Sequence, residues 1–100
     1  MTIANSGAKE KLVKRLLEGN DDIFTEFVVV GLEDSLKTIC NEIERLLNIK
    51  NLNDQQWQDL TELTYDGQAT VRVLRYYTAY EYTPETVIIN KGIDKGKEWI

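Results

Sequence analysis

From Ala69 to Tyr80 the chain reads Ala-Thr-Val-Arg-Val-Leu-Arg-Tyr-Tyr-Thr-Ala-Tyr, and this stretch decides between a mixed fold and an all-helical one. Valine, threonine and tyrosine suit a pleated, half-buried strand. Against that, Ala69, Val73, Tyr76, Tyr77 and Tyr80 repeat at helical spacing. Because Arg72-Val-Leu-Arg-Tyr-Tyr-Thr is poor helix material, propensity predicts a strand from Ala69 to Tyr80. Further strands are expected at Thr86 to Asn90 and at Lys97 to Ile100, with Tyr82-Thr-Pro-Glu85 and Asn90-Lys-Gly92 as the turns between them. The competing reading is an all-α bundle in which Thr83 caps a last short helix and Pro84 opens it.

Upstream of this stretch the spacing is mostly helical. Asn53 and Gln56 have the polarity of a capping box, and Leu52 can staple onto Trp57, so a helix should begin near Asp54. Trp57, Leu60 and Leu63 form its apolar face, and Tyr65-Asp66-Gly67 should end it, since Asp-Gly is a turn signal. The clearest element is a helix from Glu33 to Asn48. There Leu36, Ile39, Cys40, Ile43, Leu46 and Leu47 share one stripe, while Asp34, Lys37, Asn41, Glu44 and Arg45 fall away from it. Between Asp21 and Leu32 the signals conflict again, and the run Phe27-Val-Val-Val30 predicts a strand from Phe24 to Val30. Leu12, Val13, Leu16 and Leu17 mark a short helix, with Ser6 as its cap and Gly19 at the C-cap. The expected fold class is therefore α+β, about three helices with a small antiparallel sheet in the C-terminal third. Residues 1–7 are expected to form a flexible leader and residues 8–100 a single globular domain.

Composition narrows the function classes. One hundred residues leave room for one core. The 12 basic and 17 acidic residues give a formal charge of -5, which weighs against nonspecific attraction to nucleic acid or anionic membrane. The charge is unevenly spread, with +3 over Ala8 to Leu17, -9 over Glu18 to Gly67 and +1 over Gln68 to Ile100. The longest apolar run, Phe27 to Leu32, falls far short of the roughly 18–20 residues of a membrane span. The N-terminus has no apolar core of a secretory signal, and one cysteine excludes an intrachain disulfide. These features predict a cytoplasmic protein.

Catalytic constellations are scarce. The chain contains no histidine, so the commonest general base and metal ligand is missing. Ser6-Gly-Ala-Lys9 matches Ser-x-x-Lys, but it lacks the partner motifs, and Ser6 serves better as a cap. The stretch Gly92 to Lys97 has the glycines and lysine of a phosphate loop, yet its spacing is one residue short and no helix can follow. Cys40 lies within an apolar helical stripe and reads as a small core hydrophobe. Asp21, Asp22, Glu33, Asp34, Asp59 and Glu62 lack the spacing of a calcium loop and read as a solvated acidic face. No catalytic residue, cofactor or metal site is predicted.

Arg72, Arg75, Tyr76, Tyr80 and Tyr82 form the candidate partner-binding set, since arginine and tyrosine are enriched where proteins meet. On a strand, Arg72, Tyr76, Tyr80 and Tyr82 would share one face, with Val71, Val73, Tyr77 and Ala79 on the other. The expected function is a non-enzymatic protein-binding module that regulates, inhibits or bridges a larger partner, with self-association compatible. The alternative is single-stranded nucleic-acid binding, with bases stacked on the tyrosines of the C-terminal third.

Overall fold

A computed structural model describes residues 21–99 and consists there of three helices, α1 (Asp21–Leu47), α2 (Asp54–Tyr77) and α3 (Thr83–Gly96), with no strand among the described residues. The fold is the all-α bundle, and the expected α+β class with its antiparallel sheet is overturned. The expected short helix marked by Leu12, Val13, Leu16 and Leu17, the leader over 1–7 and Ile100 of the last expected strand lie outside the described residues.

The helix expected at 33–48 is present and starts twelve residues earlier, taking in the expected strand Phe24 to Val30. Valines tolerate a helix at a modest propensity cost, and that cost is outweighed when the helical stripe continues. Here it does, because Val29 and Leu32 pack against the core ahead of buried Leu36, Cys40, Ile43 and Leu46. The α2 start is as expected: Gln56 N–H donates to Asn53 Oδ1 at 2.8 Å, and Asn53 N–H donates to Gln56 Oε1 at 3.0 Å. Its end is not. The helix runs through Tyr65-Asp66-Gly67 and the whole expected strand 69–80 as far as Tyr77.

The reason is visible in the residues that α2 buries: Leu60, Thr64, Gly67, Val71 and Leu74. This is a continuous stripe at spacings of three and four, but threonine and glycine occupy its middle and hide it from a hydrophobicity scan. Ala69, Val73, Tyr76, Tyr77 and Tyr80, which carried the apparent period, are all exposed. The expected strand 86–90 lies within α3, whose first turn holds Pro84, and Tyr82 rather than Thr83 is the residue before the helix. Residues 97–99 form turns off its end, with Trp99 N–H donating to Gly96 O at 3.2 Å.

Contacts fix an up-down-up arrangement. Glu33 meets Tyr82, Cys40 meets Glu85 and Ile43 meets Gly92, so α1 and α3 run parallel. Trp57 stacks on Trp99 with ring centroids 6.2 Å apart, and Gly67 lies against Ile89, so α2 is antiparallel to α3. The core gathers Leu36, Cys40, Ile43, Leu46, Leu60, Val71, Leu74 and Ile89.

Two glycines read as turn signals are helix-crossing residues. A Cβ on Gly67 would stand 2.9 Å from Ile89 Cδ1, and one on Gly92 would stand 2.8 Å from Thr64 Cγ2 and 3.0 Å from Ile43 Cγ2. A methyl group there would push against side chains of the facing helices, most tightly at Gly92, so helix packing and not a turn is what these glycines serve. The expected turn Asn90-Lys-Gly92 is accordingly replaced by continuous helix.

Candidate binding surface

The α2–α3 pair positions the two arginines of the candidate set. Gln68, Arg72 and Arg75 follow one another at spacings of four and three on α2, and Thr86 and Asn90 are one turn apart on α3. Together they line a groove of about 250 Å³ whose floor is Val71 and Ile89. No carboxylate lines this groove, although the chain as a whole is acidic.

Arg75 is a clamp. Its Nε and Nη2 donate to the Glu81 carbonyl at 3.2 and 3.0 Å, tying α2 to the connection that leads into α3. Arg72 is exposed, and its guanidinium has no partner among the described residues. Thr86 Oγ1 has less than 1 Å² of accessible surface and no hydrogen-bond partner, the one such side-chain atom among the described residues.

The tyrosines divide into two roles. Tyr76 and Tyr80 are 85% and 73% exposed, with Tyr76 edge-on to Tyr77 at a centroid distance of 5.4 Å. Tyr82 is half-buried and adopts a left-handed backbone, φ 54° and ψ 44°, at the start of α3. Its hydroxyl donates to Glu33 Oε2 at 2.6 Å and accepts from Thr78 Oγ1 at 3.4 Å. Burial, and then the bond to the Glu33 carboxylate, raise the Tyr82 pKa above the usual phenol value. Tyr82 therefore joins the α2–α3 connection to α1, whereas Tyr76 and Tyr80 are open to solvent.

A strand puts Arg75 on the face opposite Gln68 and Arg72, whereas on a helix residues three and four apart share a face, so only the helical α2 brings all three to one groove. Phe24 and Phe27 were also absent from the candidate set, and they are 55% and 38% exposed on the first turns of α1. Gly67 lies against Ile39, and counting ten residues on along antiparallel helices puts Tyr77 level with Val29. Phe24, Phe27, Tyr76, Tyr77 and Tyr80 are thus gathered at one end of the bundle.

Cys40 is 4% exposed and its Sγ lies 3.9 Å from the Glu85 carbonyl. Burial first, then the charges of Glu85 and Glu44, push its thiol up to about 11. The thiolate that nucleophilic chemistry needs is scarce at neutral pH. Because the folded value lies above the ordinary 9.0, this group's contribution to stability is complete below pH 9 and is lost as pH rises towards 11. Cys40 is expected to resist a thiol reagent at pH 7.5 until the protein unfolds. In parallel denaturant titrations, Cys40→Ala should fall less steeply than wild type between pH 9 and 11.

Among the described residues there is no group of three His, Cys, Asp or Glu side chains placed to hold a metal ion, and no helix long and apolar enough to cross a membrane. Compared with known proteins, the chain matches no family model, no curated protein and no solved structure.

Proposed function

We propose that this chain is a small non-enzymatic, cytoplasmic protein-binding module that regulates, inhibits or bridges a larger partner through the aromatic end of its bundle. The observation that carries this reading is the exposure of Phe24, Phe27, Tyr76, Tyr77 and Tyr80, from 38% to 85%, at one end of a small helical domain. Exposed aromatics are costly in water, and aromatic residues are enriched where proteins bind one another. Arg72, one turn before Tyr76 on α2, adds the other residue type that anchors interfaces. The lack of histidine and the protonated, buried thiol support a binding role over a catalytic one.

The test is affinity capture from lysate of the source organism, with wild type and a Tyr76→Ala, Tyr80→Ala double variant, each with and without nuclease. Both side chains are exposed, so the variant should keep the helical circular dichroism of wild type. The expected result is a protein partner that survives nuclease and is lost with the double variant. Capture that nuclease abolishes would favour single-stranded nucleic acid instead, and capture indifferent to both tyrosines would remove the aromatic end from the function.

A further inference from the structure

We infer that the α2–α3 groove is a carboxylate-binding pocket that receives an acidic side chain from the partner segment, an assignment that rests on the protein-binding reading above. The groove has the parts such a pocket needs. Arg72 offers a planar fork of donors that matches a carboxylate in two parallel hydrogen bonds, and no described residue occupies it. Gln68 and Asn90 flank it with amide donors, one from each helix, and neither has a partner among the described residues.

Electrostatics support a local anion site. No carboxylate lines the groove, and charges beyond about 8 Å are largely screened at physiological salt, so the Arg72 guanidinium outweighs the net -5 of the chain locally. Arg75 is held at the groove wall by the Glu81 carbonyl, and the Glu81 carboxylate 3.9 Å from its Nε offsets part of its charge, so Arg72 is the cation open to a ligand. Thr86 lines the α3 side of the groove, with its hydroxyl closed to solvent and without a hydrogen-bond partner among the described residues. The apolar floor of Val71 and Ile89 fits the methylenes that carry a glutamate carboxylate. A volume of about 250 Å³ suits a side chain rather than a large cofactor.

The experiment uses the full chain and an end-blocked hexaglutamate peptide as the probe, followed by NMR of the arginine Nε–H resonances. Hexalysine, sodium acetate and inorganic phosphate are run alongside. Hexaglutamate should shift the Arg72 resonance saturably and displace acetate, while hexalysine leaves it unmoved. Arg72→Gln should weaken hexaglutamate binding at least about tenfold, the loss expected when one charge-assisted pair goes. Arg72→Lys, which keeps the charge and loses the fork, should fall between the two.

Absence of any saturable shift, or full affinity in Arg72→Gln, overturns the pocket. Phosphate binding more tightly than hexaglutamate overturns the carboxylate assignment in favour of a phosphate-bearing ligand. Failure of this inference and failure of the functional reading are distinguishable. Partner capture that persists in Arg72→Gln, with no hexaglutamate binding, removes the pocket and leaves the module. Hexaglutamate binding at Arg72 with no captured partner removes the module reading.

Discussion

Ile43→Ala is expected to lower the stability of the bundle by about 2–5 kcal/mol, the usual loss when a large aliphatic side chain in a packed core is truncated. Ile43 has no exposed surface and lies where α1 meets Gly92 of α3, so the cavity left behind is bounded by helix backbone that cannot easily collapse. A fraction of that loss would be serious, since domains of this size have stabilities of only about 5–15 kcal/mol. The check is a urea titration followed by circular dichroism at 222 nm. The midpoint should fall with little change in slope, and Ile43→Val should cost only about 0.5–1.5 kcal/mol. If Ile43→Ala melted like wild type, Ile43 would not be part of the core.

Gly92→Ala sets two effects against each other. In a helix interior alanine is favoured over glycine by about 1 kcal/mol. At this crossing, however, the new methyl would stand 2.8 Å from Thr64 Cγ2 and 3.0 Å from Ile43 Cγ2. Overpacking of that kind costs typically about 1–3 kcal/mol, and both neighbours belong to buried, well-held side chains. The substitution is therefore expected to destabilise, lowering the melting temperature by several degrees.

A second substitution makes the cause identifiable. Thr64→Ser removes the obstructing Cγ2 and keeps the hydroxyl that donates to the Thr61 carbonyl at 2.8 Å. The double variant should be more stable than the sum of its parts, the non-additivity expected of residues in direct contact. A higher melting temperature for Gly92→Ala alone would show that the helices do not approach as closely as described.

The parts of the fold that were legible from sequence were those whose signals are local. The capping box at Asn53 and Gln56 needs only neighbouring residues, and both of its hydrogen bonds are present. The stripe from Leu36 to Leu47 reads directly because nearly all of its members are apolar and its polar residues fall on the other side. In α2 the equivalent stripe runs through Thr64 and Gly67, so its period was invisible to a search for hydrophobes. The exposed tyrosines then supplied a misleading pattern of their own. For the candidate surface, Arg72, Arg75, Tyr76 and Tyr80 were identifiable by residue type alone. That Arg72 and Arg75 share a groove while Tyr82 reaches Glu33 required knowing that α2 is one helix.

By itself the sequence determined the absence of histidine, the acidic charge, the single buried thiol position and the helical cores of α1 and the start of α2. Those are properties of composition or of residues within one or two turns of each other. Only the tertiary structure decided that residues 24–30, 69–77 and 86–90 are helical, that Gly67 and Gly92 are contact points between helices, and that a groove lined by arginine and amide groups opens between α2 and α3. The physical reason is one of magnitude. Preferences for strand over helix amount to a few tenths of a kcal/mol per residue, whereas burying a valine, leucine or isoleucine contributes about 1.5–3 kcal/mol. Val71, Leu74 and Ile89 are buried together only if α2 and α3 are continuous helices packed against α1, so burial overrides local preference.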